Sequence, residues 1–367
     1  PVSVDMGFIV CNDQNYPLFN QWLKELGVSR TRSDMSFGVQ DTTNDILWSS
    51  KSPFGQRKNL LRWQHYQMFL DIIAFFNKAE TYVQKNPDVK LNKMVNDLGR
   101  GKLWWQHFLY PMAASIWSTS FEKIHDFPAQ MLVTFFRNHG LLSLFNHPQW
   151  YTIEGGSKTY IDAVLSHQRF TIAQEAKCVC RQKDGIDIED FSGRIERFDQ
   201  VIFAIHPELI LPLLQQPTAE EQAILSVFKR SPQHVVLHQD ERWMPDKRSC
   251  WASWNYRATE QQDKVTVTYW MNILQPFINT QKPLLVTLNP DASLPLDGVL
   301  EERYWSHPMF TPSIIQAQQS LQSLQGKNQT WYVGAYQRYG FHEDGLWSVS
   351  QSMPQWIEQY GSITSPT

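Results

Sequence analysis

Three glycine-bearing segments stand where the chain could bring its backbone close to a ligand. They are Asp5-x-Gly7, the run Glu154-Gly155-Gly156-Ser157, and the stretch GAYQRYGFHEDG from Gly334 to Gly345. Glycine at a strand-to-helix turn permits a close approach of backbone or ligand. Free N–H groups at a helix N-terminus also suit anionic or carbonyl oxygens. Because the three segments alternate with sheet and helix segments, we interpret them as parts of one binding function.

The third segment also carries side chains that could do chemistry. Arg338, Tyr339 and His342 are candidates for orienting a substrate or transferring a proton, and we expect His342 to have a near-neutral pKa. The alternative is that these side chains hydrogen-bond the loop and cap the following helix. His206, which ends the strand-like VIFAI, is better explained as a core or turn histidine.

The sequence predicts no metal site and no disulfide framework. Its four cysteines are too few and too scattered for such a framework. Cys178 and Cys180 would share one face of a strand, but no second pair lies nearby, so we interpret them as small strand residues. The signatures H-E-x-x-H, G-K-[ST] and G-x-S-x-G are missing. A reducing, cytoplasmic location is expected.

The elements before Trp150 are predicted to be mainly helical. The chain opens in what reads as a strand, and apolar residues at helical spacing predict a helix over 16–26 that stops at Gly27. A long helix is expected from 59 to 79, a helix break or new start at Pro111, and another helix ending near Gly140. We therefore expect the stretch 36–147 to be mostly helical, and it is rich in aromatic residues.

After Trp150 the pattern predicts strands. WYTI, the Gly-Gly-Ser turn and a helix come first. Breaks at Asp184-Gly185 and Ser192-Gly193 then predict an antiparallel meander that leads into VIFAI as a buried strand. Thr218 and Glu221 have the spacing of a capping box. The segment TWYVGAY predicts a strand into Gly334, and a closing helix follows.

Composition excludes several classes of protein. The 367 residues carry 33 Lys+Arg against 36 Asp+Glu, a formal net charge of −3, without the basic excess usual in nucleic-acid binders. No apolar run reaches the roughly 18–20 residues that span a bilayer. The opening PVSVDMGFIV has no initiator Met and is not a signal peptide. We expect either processing or a missing upstream part.

These segments together resemble the FAD-dependent amine oxidase/carotenoid desaturase superfamily. The resemblance is closest to a bacterial branch of predicted NAD/FAD-binding oxidoreductases associated with cyclopropane-fatty-acid synthase. The matching segments run through the whole chain in family order: VDMGFIVCNDQNYPLFNQWLKELGV, YPMAASIWSTS, FFRNHGLL, PQWYTIEGGSKTYI, FDQVIFAIHPE, WASWNY, VTYWMN, LVTLNP and YVGAYQRYGFHEDGL.

The resemblance implies an α/β (α+β) fold of two interleaved lobes. A Rossmann-like FAD-binding lobe is expected from 1–35, 148–215 and 327–367, and a helical and antiparallel-sheet substrate lobe from 36–147 and 216–326. Members normally begin with a strand, G-x-G-x-x-G and a helix, a βαβ unit that this chain lacks. The lost phosphate loop makes us expect weak FAD binding by these residues alone.

The resemblance also implies which residues hold FAD. Asp5 and Gly7 with Phe8 are expected beside the isoalloxazine, Ala176 near the adenine, and Gly334 near the ribityl and pyrophosphate. The backbone of Asp344-Gly345-Leu346 is expected at the flavin N1/C2=O edge, where a helix N-terminus stabilises negative charge. Gly155 and Gly156 complete the expected cofactor contacts.

Two functions from different classes follow. The first is a flavin-dependent oxidoreductase, amine oxidase-like, that removes a hydride and a proton from an apolar substrate, with a lipid acyl chain ahead of an amine. The second is a flavin-free remnant that binds a lipid or a partner such as the synthase. Peripheral membrane contact is compatible with both. The aromatic residues that could line a substrate tunnel, or simply form core, are Trp104, Trp105, Trp117, Trp251, Trp254, Tyr256, Tyr269 and Trp270.

Overall fold

The computed structural model describes residues 2–99, 101–117, 121–142, 147–166, 170–258 and 265–360. They form a mixed α/β fold with two compact units. The first unit comprises Pro1–Asn15, Leu23–Ala163 and Ser231–His307, and the second comprises Tyr16–Trp22, Val164–Arg230 and Pro308–Thr367. The assignment of a cofactor lobe and a substrate lobe to the predicted ranges stays a prediction.

The strands are β1 (Cys11–Asn12), β2 (Arg30–Ser33), β3 (Phe37–Asp41), β4 (Ile46–Ser49), β5 (Trp150–Ile153), β6 (Ala176–Gln182), β7 (Gly185–Asp190), β8 (Ile195–Phe198), β9 (Val201–Phe203), β10 (Arg230–His238), β11 (Trp254–Ala258), β12 (Thr266–Trp270), β13 (Leu285–Leu288), β14 (Val299–Pro308) and β15 (Thr330–Tyr332).

The helices are α1 (Pro17–Glu25), α2 (Trp63–Lys85), α3 (Leu91–Asp97), α4 (Lys102–Trp104), α5 (Tyr110–Trp117), α6 (Phe121–Ile124), α7 (Ala129–Asn138), α8 (Lys158–Ser166), α9 (Pro207–Leu213), α10 (Ala219–Leu225), α11 (Met271–Leu274), α12 (Pro312–Ser320) and α13 (His342–Tyr360). A 3₁₀ turn, Arg57–Leu61, precedes α2, and a π-helical segment, Trp105–Leu109, joins α4 to α5. None of the described helices is both long and apolar enough to cross a bilayer.

A seven-stranded sheet forms the centre of the first unit, in the order β14-β10-β13-β12-β11-β3-β4. The β11–β3 pair is parallel, with Trp254 opposite Phe37, and β3–β4 is an antiparallel hairpin. The prediction that 36–147 is mostly helical is therefore wrong over 37–49. The missed signal is the polar turn TTND between the two strands. Asp41, the last residue of β3, accepts hydrogen bonds from the backbone and side chain of Asn44 in this turn.

The helical part of the first unit follows the predicted pattern, including the predicted helix start at Pro111. The helix predicted over 59–79 is a 3₁₀ turn followed by α2, which continues to Lys85. Of the two predicted alternatives at Pro111, a helix break or a new start, the structure has the new start, because Pro111 is the second residue of α5 and the π-helical segment ends just before that helix. Proline has no N–H for the carbonyl of His107, four residues earlier, and Trp48 Nε1 donates to that oxygen at 3.2 Å.

The beginning of the chain differs from the prediction. The described residues before Cys11 form no strand, so the predicted opening strand is wrong. The next elements agree with the prediction, because α1 ends at Glu25 and Gly27 follows with φ of +68°. The predicted strand, Gly-Gly-Ser turn and helix are β5, the loop 154–157 and α8.

The second unit contains the predicted meander, β6-β7-β8, and a separate two-stranded parallel sheet of β9 and β15. Its core is apolar and includes Val179, Ile186, Phe203, Leu225 and Tyr332. The capping box at Thr218 and Glu221 is present. The prediction of VIFAI as a buried strand is only partly right, because Ile202 is 50% exposed and Ile205 38% exposed.

Candidate functional site

The first and second glycine segments meet in the first unit. Asp5 Oδ2 accepts hydrogen bonds from the backbone N–H of Ser157 at 2.7 Å and from its hydroxyl at 3.0 Å. The carboxylate thus lies at the N-terminus of α8. Gly155 and Gly156 have φ of +77° and +91°. A Cβ on Gly156 would lie 3.3 Å from Asp5 Oδ2, so this turn needs glycine to let the carboxylate in.

A glutamine that sequence reasoning missed holds the backbone of Asp5. Gln275 is fully buried just after α11; its Oε1 accepts from the Asp5 N–H at 3.1 Å, and its Nε2 donates to the Asp5 carbonyl at 3.0 Å. Burial raises the pKa of Asp5, against the lowering effect of the Ser157 bonds. The available signal was the position of Gln275 three residues after the end of the segment VTYWMN, one of those that carry the resemblance.

Gly7 and Phe8 follow Asp5 without regular structure. No heavy atom lies within 4 Å of the place where a Cβ on Gly7 would stand, so the chain is open on that side. Phe8 is half-buried. Ala176 begins β6 opposite Asp190, just before a bulge in the β6–β7 pairing. The predicted contacts of these residues with FAD stay predictions.

In the second unit, Gly334 connects β15 to α13. Its φ is +151°, and a Cβ would lie 2.6 Å from the Tyr336 ring, so only glycine fits without a shift. The Gly334 N–H donates to Ser348 Oγ on α13 at 2.8 Å. The turn after β15 is therefore fastened directly to the helix that carries the third glycine segment.

Arg338 and Tyr339 lie against the start of α13. The Arg338 guanidinium lies 4.8 Å from the Trp347 ring centroid and 5.4 Å from that of Tyr339. It is also 3.6 Å from Asp344 Oδ1. These contacts favour the interpretation in which Arg338 holds the loop and the helix start together.

Asp344 is a buried carboxyl in the first turn of α13. Its Oδ2 accepts from the Phe341 N–H at 2.9 Å. Burial raises the pKa of Asp344 to about 6, although that bond and the Arg338 charge act in the opposite direction. The neighbouring Glu343, another residue missed from sequence, accepts from the N–H groups of Leu18 and Phe19 at 3.1 and 2.9 Å. Glu343 therefore caps the N-terminus of α1.

His342 differs from the prediction in its charge state. Its side chain keeps solvent access, yet the surrounding protein desolvates it and lowers its pKa to about 4. The expected near-neutral pKa is therefore wrong, and the imidazole is neutral at pH 7. Its ring meets that of Phe19 edge to face at 5.6 Å.

Gly345 and the half-buried Leu346 lie in the first turn of α13. No heavy atom lies within 4 Å of a Cβ built on Gly345. Its N–H donates to the Phe341 carbonyl at 3.3 Å, so it already has an acceptor in the helix. The role of this turn toward a ligand therefore depends on the open space at Gly345 and on the helix N-terminus.

The remaining candidates have structural contacts. His206 caps α9 by accepting from the Glu208 N–H at 3.4 Å. Trp104 is fully buried in the core, while Tyr256 and Tyr269 pack against Ala114, Val265 and Val267. Cys178 and Cys180 are free thiols on one face of β6.

The chain is similar to known proteins in sequence family and in fold. The family model of flavin containing amine oxidoreductases matches residues 2–307. The CLA-producing fatty acid isomerase from P. acnes has a TM-score of 0.62 at 11% identity, covering 98% of this chain and 87% of that chain. Cyclohexylamine oxidase from Brevibacterium oxydans IH-35A has a TM-score of 0.64 at 9% identity, covering 98% and 88%. No curated protein matches the sequence significantly.

Several features at the start of α13 fit a flavin. In the second unit, the open side of Gly345 leaves room for a planar ring system, and the N-terminus of α13 provides the positive end of a helix dipole. His342 adds a neutral, accessible imidazole. These features fit FAD, and the family match covers most of the chain. The chain belongs to the flavin containing amine oxidoreductase family and is an FAD-dependent oxidoreductase.

Proposed function

We propose that this oxidoreductase removes a hydride and a proton from an apolar, lipid-type substrate. When bound, FAD supplies the two-electron acceptor for such a reaction. The chain supplies orientation, exclusion of water and the electrostatics of the site. Family membership favours this enzyme over the flavin-free module that the sequence left open.

The observation that carries the lipid-type substrate is the apolar surface around Tyr256 and Tyr269. Both rings are enclosed by protein and packed with Val265 and Val267, yet each keeps some solvent access. Burial raises the pKa of both phenols well above their usual value, so both stay neutral. A partly exposed apolar surface of this kind suits an alkyl chain.

The charge of Asp41 helps to raise the pKa of Tyr256. This carboxylate already has hydrogen-bond partners of its own, and that disfavours an amine as the substrate. Asp41 accepts from His107 Nε2 at 2.9 Å and from the Asn44 side chain at 2.7 Å. Burial alone would raise the pKa of Asp41, but these bonds outweigh it and hold the pKa well below its usual value. An ammonium group would need a carboxylate of its own to replace its hydration.

We assign the reacting side of the flavin to the segment 334–346. Gly334, Asp344, Gly345 and Leu346 are proposed to hold it, and His342, Arg338 and Tyr339 are the candidates for orienting the substrate. The contacts of Arg338 with Asp344 and Trp347 support a positioning role for that residue. The accessible, neutral His342 supports a hydrogen-bonding role.

We further propose that a βαβ unit with a phosphate loop lies beside β9. Among the described residues, the β9–β15 sheet has two parallel strands, whereas parallel sheets are normally larger and covered on both faces. The exposed side chain of Ile202 leaves one face of β9 that the helix of such a unit could cover. The 367 residues alone should then purify with substoichiometric FAD, and fusion to a family-type G-x-G-x-x-G unit should give a yellow protein. A stoichiometric flavin spectrum from the unfused chain would contradict this.

The branch associated with cyclopropane-fatty-acid synthase also stays a proposal, supported by the segments EGGSKTY and GFHEDGL. It makes the synthase a candidate partner. Affinity capture from cells that express both proteins tests this, with a chain that carries the Tyr304→Ser change at an exposed site as a handling control. Absence of the synthase from the captured material would contradict the partnership.

A matched pair of substrates tests the proposed function. Oleic acid and oleylamine share one alkyl chain and differ in the head group. Each is mixed anaerobically with the FAD-loaded protein, and bleaching of the oxidised flavin band is followed. We expect bleaching by the fatty acid or its ester and little by the amine. Bleaching by oleylamine alone would make the protein an amine oxidase.

A further inference from the structure

An apolar stripe lies exposed at the start of α2 and in the 3₁₀ turn before it. Leu61 is 91% exposed, Trp63 70% and Leu70 55%. The apolar stripe consists of Leu60, Leu61, Trp63, Tyr66, Leu70 and Ile73. Its helical members recur at intervals of three and four residues, which places them on one face of α2.

The packing of α2 fixes this face outward. Met68, Ile72, Phe75 and Ala79 occupy the opposite side of the helix and are at most 2% exposed. The helix is therefore apolar on both sides, and folding of the first unit uses only one of them. Contiguous exposed apolar patches of this kind mark interaction sites in proteins without a membrane span.

The charges beside the apolar stripe are mostly positive. Arg57 and Lys58 are exposed in the same 3₁₀ turn, and Arg62 immediately precedes Trp63. Their described acidic partner is Asp45, which pairs with Lys58 and, at 2.6 Å, with Arg62. Three cations against one anion leave this edge positive. The other nearby carboxylate, Asp71, is only 5% exposed.

We propose that the apolar stripe docks on an anionic lipid bilayer. Exposed leucines next to a tryptophan and flanked by basic side chains are the pattern of a segment that lies in a membrane interface. A second copy of the chain is a poorer occupant, because a two-fold interface would set Arg57 and Lys58 near their own equivalents. The proposal concerns attachment to a membrane and does not depend on the substrate.

Vesicle flotation tests this surface directly. The probes are phosphatidylcholine vesicles with and without phosphatidylglycerol. The wild-type chain should float with the anionic vesicles and less with the neutral ones, and salt should weaken binding. Leu60→Ser combined with Leu61→Ser should lower the partition coefficient at least about tenfold, because two leucine side chains lose their burial in lipid. Arg57→Gln with Lys58→Gln should remove the preference for anionic vesicles.

The matched control changes equally exposed apolar residues elsewhere. Phe191 and Ile195 are 69% and 64% exposed, and their replacement by serine should leave flotation within about twofold of wild type, since a change in burial drives the effect. Equal losses in the control and the stripe variant would overturn the proposal. So would failure of the wild type to float. Concentration-dependent dimerisation abolished by the stripe variant would instead make the face an interface between copies.

Discussion

The imidazole of His342 lies in the segment that we assign to the flavin, and its pKa decides what it can do there. Desolvation lowers that pKa to about 4 from 6.5. The folded-state group is therefore neutral throughout the range from pH 6 to 8. It can hold a hydrogen bond in that range but cannot release a proton from an imidazolium.

Replacing His342 with glutamine tests this role. We expect slower flavin reduction in the variant. The pH profile between pH 6 and 8 should stay unchanged, because one neutral hydrogen-bonding side chain is exchanged for another. Melting temperature and FAD affinity serve as controls for a merely structural effect. A change in the wild-type rate of flavin reduction near pH 6.5 that is absent from the variant would contradict the lowered pKa of His342.

Gln275 is the residue that fixes the Asp5 segment. Changing it to methionine keeps the size of the side chain and removes both hydrogen bonds to the Asp5 backbone. We expect faster amide hydrogen exchange over residues 2–10 and weaker FAD binding. Asn272→Ala, which removes bonds to Thr280 and the Leu284 N–H, is the control. Unchanged exchange over 2–10 in Gln275→Met would show that the segment is held by other contacts.

At the scale of elements, the helix around Pro111 shows how a side chain replaces a missing backbone donor. Trp48→Phe removes the donor to the His107 carbonyl, and we expect a loss of about 1 to 3 kcal/mol in the free energy of unfolding. In a Pro111→Ala background a backbone N–H becomes available, so the same change should be less destabilising. Chemical unfolding of the four proteins measures the coupling. If the effects of the two substitutions on the free energy of unfolding simply add, Trp48 does not take the place of the missing backbone donor.

Local signals predicted the elements whose information is local. The Gly27 stop, the Thr218 capping box, the meander turns and the loop around Gly155 and Gly156 are all in the structure. The β3–β4 hairpin was missed although its turn signal TTND is local, whereas the parallel pairing of β3 with β11 joins strands more than two hundred residues apart and leaves no local signal. The prediction of an opening strand was wrong, and within that segment the distant Gln275 side chain bonds the backbone of Asp5.

The site was predictable to a similar extent. The glycines indicated the turns, whereas the contact of Asp5 with Gly156 and Ser157 is known from the structure alone. Gln275 and Glu343 were missed, because a lone polar residue at the end of a helix gives no sign of which distant backbone groups it will bind. The pKa of His342 depends on surrounding protein that no sequence spacing encodes.

At the scale of the whole molecule, four histidines among the described residues contribute to the loss of stability in acid. Burial lowers the pKa of His139, His206, His238 and His342 to about 4. The unfolded chain binds these protons near pH 6.5, so stability is present above that pH and is lost as the pH falls toward 4. The fully buried His238 alone accounts for a loss on the order of 3 kcal/mol in the free energy of unfolding as the pH falls through this range. Denaturant midpoints from pH 7 to pH 4 measure this loss of stability. The decrease should be smaller in His238→Gln. A wild-type midpoint that does not change with pH would contradict the prediction.

The account as a whole depends on FAD lying against the open side of Gly345. Because a Cβ there meets no protein atom, Gly345→Ala should keep or raise the melting temperature, as alanine is favoured over glycine in a helix. Ser350→Ala, an exposed change on the same helix, is the control.

The decisive measurement is an FAD titration, followed by absorbance, of the protein carrying the phosphate-loop unit in its wild-type, Gly345→Ala and Ser350→Ala forms. We predict one bound FAD in the wild type and in Ser350→Ala, and at least about tenfold weaker binding, or 1.4 kcal/mol, in the equally stable Gly345→Ala. Equal affinity in all three proteins, or no binding by the wild type, would contradict the account.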